Sequence, residues 1–423
     1  MYYKAKADII SISNMGYTKD AFSGTSWMSS YKVFYRVISF LRIAILARLL
    51  VPTQFGLFGI ATLVLNFLEI LTETGVNIIL VQVREQIEEF IDSAWVVSII
   101  RGVLLFFIVL LSAPFIASFF NTPKALEIIM LISLVPLIRG FINPSEVKFQ
   151  KDLKFKYEFL FRSSIFLVDS MVAIFFVVLT HSVYGLVLGL IAGAVFELIT
   201  SFVFIKPTPR LRFNKHYIRD ILHKGKWVTS YGVLGYFGDQ GDNIVVGKLL
   251  GASSLGIYQM IYKISILPLS EIADGVNKVV FPIYVKIAND KERLKRAFLK
   301  TSFIVSMLAT SLGIIIFLFP REIILIVLGD KWLSGAEALR ILSVYGVLHA
   351  IGGSITPLFL ALKKQNYVTV MSFFRFVILA VTIFPLVLKF GIIGAAYSVL
   401  LSVFGEMPVV AYFIYRIFKK EIK

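Results

Sequence analysis

The stretch "VVGKLLGASSLGIY" (Val245–Tyr258) repeats the pattern of "ILARLLVPTQFGLF" (Ile45–Phe58), 200 residues earlier. Lys248 stands over Arg48, Leu249 and Leu250 over Leu49 and Leu50, and Gly256 over Gly56. The same offset sets "WVTSYGV" (227–233) over "WMSSYKV" (27–33), and the Gly-Val-Asn of 275–277 over that of 75–77. Further along, the register becomes 213, with Gly353, Pro357, Lys364 and Phe374-Arg375 over Gly140, Pro144, Lys151 and Phe161-Arg162. It then becomes 209, with Gly394 and Glu406 over Gly185 and Glu197. Rare residue types recurring in order mark an internal duplication.

Each half is strongly apolar. Of 423 residues, 58% are hydrophobic and 39 are Phe, where globular proteins have about 45–50% apolar residues. Windows such as "VLLFFIVLLSAPFIASFF" (103–120) have no polar face of the kind a soluble amphipathic helix needs. Apolar runs of roughly 20 residues match a hydrocarbon core of about 30 Å. They predict spans at 27–48, 56–80, 94–117, 126–145, 159–180, 183–205, 227–249, 254–283, 298–319, 335–361, 368–388 and 392–415. The expected fold is an all-α integral membrane protein of about 12 transmembrane helices, in two parallel six-helix repeats around a central cavity. The halves are an N-lobe at 23–206 and a C-lobe at 227–418, flanked by a cytoplasmic segment 1–22 and a tail 419–423.

The net charge of +17 is distributed by topology. Most Lys and Arg fall in the N-terminus, the even connections and the C-terminus, whereas the odd connections hold Arg48, Lys124, Lys248, Arg321, Lys331 and Lys389. The positive-inside rule then puts both termini in the cytoplasm. Basic excess of this kind serves topology and contact with anionic lipid, so it gives no reason to invoke nucleic acid. A connecting helix "FNKHYIRDILHKG" (213–225), within the linker 207–226, carries an apolar stripe beside Lys215, Arg219 and Lys224 and is expected to lie in the cytoplasmic interface.

Several chemistries are excluded. The chain has no Cys, its four His are scattered without an HExxH, and no Gly-x4-Gly-Lys-Ser/Thr occurs. The sequence therefore predicts no metal, no cofactor and no nucleotide loop of its own. Its first twenty residues lack the apolar core and cleavage site of a signal peptide.

Charges inside the spans are the functional signal. Each costs about 2.5–3.5 kcal/mol near the bilayer centre on insertion scales and faces a cavity or a partner. The candidates are Arg36, Arg42, Arg162, Asp169, Glu197, Asp239, Asp242, Glu271, Asp274, Arg375 and Glu406. Unpaired, they would cost more than a domain's net stability, so most must be paired, hydrated or interfacial. The poorest spans in hydropathy are the first of each half: helix 1, with Lys32, Arg36 and Arg42, and helix 7, "YGVLGYFGDQGDN" (231–243). Interrupted segments in corresponding positions of two halves point to a transport site. The repeat register sets Asp242 over Arg42, which predicts that the two pair when one face is closed. Arg162 with Asp169, and Asp239 with Asp242, share helix faces by spacing. Arg162, Arg375, Glu197 and Glu406 read equally well as structural ion pairs, and Arg101 and Arg139 as snorkelling residues.

The opening of the chain, "SGTSWMSSYKVFYRVISFLRIAILARLLVPTQFGLFGIATLVLNFLEILTETGVNIILVQ" (23–82), resembles that of bacterial polysaccharide transporters. "DNIVVGKLLGASSLGIYQMIYKISILPLSEI" (242–272) and "GDKWLSGAEALRILSVYG" (329–346) are similar to further segments of that family. It belongs to the multidrug/oligosaccharidyl-lipid/polysaccharide exporter superfamily. The resemblance implies a flippase, not an enzyme. Such a protein moves polyprenyl-pyrophosphate-linked oligosaccharide across the bacterial cytoplasmic (inner) membrane for O-antigen, capsule or exopolysaccharide synthesis, by alternating access. Many relatives have fourteen helices, and residues 1–22 match nothing typical.

On that reading, Arg36, Arg42, Arg162 and Arg375 hold the substrate phosphates, since guanidinium binds phosphate bidentately. Asp239, Asp242, Glu197, Glu406, Asp169 and Asp274 are the carboxylates for cavity lining or coupling to H+ or Na+. The partners are the lipid-linked glycan, membrane lipid and a glycan polymerase or glycosyltransferase.

Rival readings have weaker signals. A cation-coupled multidrug exporter of the same superfamily favours carboxylates and aromatics over the arginines of helix 1. A membrane enzyme needs an extramembrane loop with paired acids, and the longest outward connection, "PREIILIVLGDKWLSGAE" (320–337), has none. A peptidoglycan-precursor flippase usually has fourteen helices. A pure scaffold leaves the embedded charges unexplained.

Overall fold

A computed structural model of the chain describes residues 27, 30, 31, 34–72, 87–212 and 214–419, with backbone alone at 87–89, 215–231 and 234. The segment 1–22, Lys32, the first Gly-Val-Asn at 75–77 and the side chains of the connecting helix lie outside what it describes. Every described element is a helix or a helical turn. In chain order these include α1 (34–49), α2 (Pro52–Leu71), α3 (Ile87–Phe119), α4 (Ala125–Ile132), α5 (Leu134–Gly140), α6 (Phe155–Thr180) and α7 (Tyr184–Phe204). They continue with α8 (Lys215–Ile287), α9 (Lys291–Leu318), α10 (Pro320–Val327), α11 (Ala336–Gly353), α12 (Thr356–Ala361) and α13 (Gln365–Phe418).

Eight helices among the described residues are long and apolar enough to cross a bilayer, or nine if the bent pair Ala125–Gly140 and Pro144–Lys151 forms one span. The protein is a multi-pass membrane protein. The outward faces agree, for Leu111, Phe115, Leu179, Phe204, Phe303, Ile326 and Val381 are exposed, which only a lipid surround makes favourable.

Two of these helices are of double length. The 73 residues of α8 break at Gly251 (φ 80°, ψ −180°), and the 54 residues of α13 at Gly391 (φ 60°, ψ −137°). A Cβ is strained at such positive φ, so glycine is what allows the chain to turn there. Both breaks fall between spans the hydropathy separates, 227–249 from 254–283 and 368–388 from 392–415.

The chain divides into two compact units. One comprises Met1–Leu50, Ala61–Ser118 and Pro123–Gly235; the other comprises Val51–Ile60, Phe119–Thr122 and Tyr236–Lys423. In the first, α6 and α7 form a hairpin whose turn places His181 in the left-handed region. Gly185, Gly189 and Gly193 repeat every four residues on α7. Cβ atoms there would come 2.8 Å from Val177 N, 2.7 Å from Asp169 O and 3.0 Å from Asp169 Cβ. Small residues at this spacing let helix backbones approach, which is how packing is won in lipid.

In the second unit, the start of α2 crosses α8 just past its break. A Cβ on Gly56 would collide with the carbonyl of Ala252, and one on Gly256 with the carbonyl of Pro52. Trp332 is fully buried, edge-on to Phe55 at 5.3 Å. Lys248 Nζ donates to the Phe119 carbonyl at 2.6 Å, satisfying one of the carbonyls that the end of α3 leaves without a helical partner. A further core joins Tyr284, Phe298, Phe359 and Tyr367, with Tyr367 stacked on Phe413 at 4.0 Å.

Two pairs of turns recur at one fixed spacing in their backbone. Leu153 and Lys363 both take positive φ, as do His181 and Gly391, and each pair is 210 apart. The hydrogen bonds match as well: Lys154 N to Phe149 O, 2.7 Å, beside Lys364 N to Phe359 O, 2.8 Å. Tyr157 N to Lys154 O and Tyr367 N to Lys364 O are both 3.0 Å. This corrects the offset of 213 at this point. Lys154, not Lys151, occupies the place of Lys364, and Arg375 lies three residues further along its helix than Arg162 does. Apolar helix sequence constrains register weakly, whereas a left-handed turn constrains it to the residue.

Candidate functional site

In the first unit, α1 delivers Arg42 to α6. Its Nη1 donates to Asp169 Oδ2 at 2.7 Å and its Nη2 to Asp169 Oδ1 at 3.0 Å. Both side chains are 13% exposed. The guanidinium carbon lies 5.9 Å from the Phe166 ring, which is itself packed on Tyr35 at 4.2 Å. Behind Asp169 stand Gly189 and Gly193 of α7, so no side chain displaces the carboxylate from the guanidinium. The fork satisfies both charges where hydrocarbon cannot.

In this structure Arg42 is paired with Asp169; the pairing with Asp242 that the repeat register predicts is for a state with one face closed. Asp242 is 3% exposed and accepts a hydrogen bond from Tyr258 at 2.8 Å, across the Gly251 break of α8. A buried carboxylate takes the nearest strong donor, and each of these two finds one inside its own unit.

A second group of charges surrounds the turn between α5 and α6. Glu158 is 2% exposed. Its Oε1 accepts from Gln150 Nε2 at 2.8 Å and from Arg162 Nε at 2.9 Å. Arg139 stands 3.7 Å from Glu69 and 3.9 Å from Glu197. Arg101 donates to the Glu69 carbonyl at 2.7 Å and to Thr72 Oγ1 at 3.1 Å. Arg162 and Asp169 thus share a helix face, as their spacing indicates, but pair with different partners. Arg101 and Arg139, which sequence treats as snorkelling, are engaged with polar groups inside the unit.

The four arginines named for phosphate differ in state. Arg42 has both Nη groups committed to Asp169. Arg162 is held through Nε alone, and its side chain is 40% exposed. Arg375 approaches Asp239 at 3.8 Å, with Asp239 71% exposed. Arg36 is half-buried and engaged within the protein.

Around Arg375 the second unit gathers a polar interior. Tyr262 and Tyr345 hydroxyls are 3.3 Å apart. The rings of Tyr258, Tyr262, Tyr345 and His349 follow one another at 5.9, 6.0 and 5.5 Å. Glu406 lies within electrostatic reach of Arg375. Asp274 is exposed on α8. No group of three His, Cys, Asp or Glu among the described residues has the geometry to hold a metal ion.

Sequence reasoning passes over Glu158, Gln150, Glu69, Tyr258, Tyr262 and Tyr345. Glu158 has a legible signal in its i, i+4 spacing to Arg162. Tyr258 lies sixteen residues from Asp242, across a glycine break, and no period connects them.

Residues 45–337, more than half of the chain, match the family described as polysaccharide biosynthesis protein. Among curated relatives, the "uncharacterized membrane protein in cps region" of Klebsiella pneumoniae is 25% identical over 381 residues, covering 89% of this chain and 78% of that one. The teichuronic acid biosynthesis protein TuaB of Bacillus subtilis is 24% identical, covering 79% and 70%. Among solved structures, the lipid II flippase MurJ in its inward closed conformation superposes with a TM-score of 0.72 at 15% identity, covering 92% and 88%. An inward-facing multidrug resistance MATE transporter of the MOP superfamily superposes at 0.66 and 18% identity, covering 92% and 96%. Both structural likenesses concern the fold.

Proposed function

The chain belongs to the polysaccharide biosynthesis protein family, and we propose that it is a flippase for lipid-linked oligosaccharide. It carries polyprenyl-pyrophosphate-linked glycan across the cytoplasmic membrane by alternating access and makes or breaks no covalent bond. The observation that carries this reading is the set of arginines embedded in apolar helices, among which Arg162 and Arg375 each have a single carboxylate contact while Arg42 is closed in a fork by Asp169. A diphosphate cannot cross hydrocarbon unaided, and guanidinium groups are its natural partners.

The finer reading has twelve spans in two parallel six-helix repeats, an N-lobe at 23–206 and a C-lobe at 227–418. Both termini lie in the cytoplasm, by the positive-inside rule. Counting α8 and α13 as two spans each at Gly251 and Gly391, α1 as one and the bent pair as one supports that number. Asp242, in its Tyr258 site, couples movement to H+ or Na+, together with Glu197 and Glu406. A glycan polymerase or glycosyltransferase takes over the product.

The test uses cells lacking the gene. Polyprenyl-pyrophosphate-linked glycans are extracted and assigned to a leaflet, then re-measured with wild-type or Arg42→Ala protein supplied. Complete units held on the cytoplasmic side, released by wild type and not by the variant, support the reading. Normal glycans with raised sensitivity to cationic dyes would replace it with a drug exporter.

A further inference from the structure

We propose that Glu158, braced by Gln150, is a positioning residue that aims Arg162 at the diphosphate of the substrate, making Arg162 a phosphate-receiving arginine of the first unit. The inference rests on the flippase reading and deepens it.

The geometry separates Arg162 from Arg42. A guanidinium offers five N–H donors in a rigid plane. Arg42 spends the outer edge of its fork on Asp169, so an incoming phosphate would have to displace a buried carboxylate held at two points. Arg162 is anchored from behind. Its Nε donates to Glu158 at 2.9 Å, and among the described residues neither Nη1 nor Nη2 has a hydrogen-bond partner. The pair Nη1 and Nη2 is the edge that binds phosphate oxygens bidentately.

Glu158 is built for an anchoring role. It is 2% exposed, on the first turn of α6, one helical turn before Arg162. Gln150 Nε2 donates to the same Oε1 at 2.8 Å, which holds the carboxylate against rotation, while Oε2 is buried with no donor. A buried carboxylate fixed in this way holds the arginine in one orientation, and the Arg162 side chain remains 40% exposed. A surface ion pair would do neither. Glu146 lies within electrostatic reach of the same guanidinium. A pyrophosphate diester, with two negative charges, would meet the guanidinium at its Nη edge in competition with the Glu146, Glu158 and Glu197 carboxylates.

The experiment measures binding of farnesyl pyrophosphate to the full-length protein in neutral detergent, with inorganic pyrophosphate and added phosphatidylglycerol as competitors. Wild type binds, and Arg162→Ala weakens binding at least tenfold. Glu158→Leu weakens it about tenfold, and combining it with Arg162→Ala adds little, because both act on one contact. Glu158→Gln, which keeps an oxygen acceptor for Nε, recovers part of the loss, and Gln150→Met loses less than Glu158→Leu. A structural role alone would lower the melting temperature of these variants and leave the dissociation constant of the folded fraction unchanged, which overturns the proposal. If Glu158→Leu does not fold, Glu158→Gln and Gln150→Met decide in its place: unchanged affinity in both overturns it. If phosphatidylglycerol displaces the probe at equal concentration, the site is one for lipid headgroups and the diphosphate assignment falls. If wild type binds no farnesyl pyrophosphate, the flippase reading itself fails, an outcome distinct from all the others.

Discussion

Gly56 and Gly256 meet where α2 crosses α8, each pressed against the backbone of the other's helix. A Cβ on Gly256 would stand 2.8 Å from Gly56 N and inside the Pro52 carbonyl, and one on Gly56 would enter the Ala252 carbonyl. The two glycines lie 200 residues apart in sequence, as do Pro52 and Ala252. Backbone-to-backbone approach at this crossing leaves room for no side chain, which is why both positions are glycine.

Gly256→Ala is therefore expected to be costly. The obstacle is backbone, which yields less than a side chain does, so overpacking of about 1–3 kcal/mol is expected. Thermal unfolding in detergent checks it, and Gly275→Ala is the control, because nothing lies within 4 Å of a Cβ there. Equal melting temperatures for the two variants would show that the crossing tolerates a methyl group.

Breaking the Arg42–Asp169 fork leaves one charge unpaired in an apolar setting. Asp169→Ala should destabilise by about 3–5 kcal/mol, the usual cost of orphaning a buried charge. Combining Arg42→Asp with Asp169→Arg should recover part of that loss, measured as folded protein recovered from membranes. No difference between single and double variants would mean that the fork contributes nothing to the fold.

Tyr258→Phe removes one donor from Asp242 and little volume. A hydrogen bond to a charged group contributes about 1.5–3 kcal/mol, so a modest fall in melting temperature is expected. Transport of the lipid-linked glycan should fall more than stability does if Asp242 has a coupling role. Wild-type transport by this variant would remove the Tyr258 contact from that role.

Gly251→Ala tests the break in α8. At φ 80°, ψ −180°, a region occupied essentially by glycine alone, a side chain costs about 1–3 kcal/mol. Open space surrounds this position, so the whole penalty is conformational. Gly189→Leu on α7 is the steric counterpart: with Asp169 O at 2.7 Å, it should prevent the α6–α7 hairpin from closing and abolish accumulation of the protein.

Much of this was legible in the sequence. Long apolar runs require helices, because hydrocarbon offers the backbone no other partner. Trp, Gly and Pro recur at fixed offsets, and the embedded charges announce themselves by their cost. Span boundaries fall close to the breaks at Gly251 and Gly391 for the same reason.

What the sequence could not decide was which charge meets which. Apolar positions look alike along a helix axis, whereas a pairing depends on how helices are rotated and how closely they approach. The partners found here, Asp169 held against Arg42 beside the glycines of α7 and Tyr258 brought to Asp242 by the turn at Gly251, follow no period in the sequence. Hydrophobicity follows from composition and is additive along the chain, so sequence determines that this protein is helical and embedded in a membrane. Coulombic and hydrogen-bonded partners are set by distances of about 3 Å between residues far apart in the chain, and only the tertiary structure determines those.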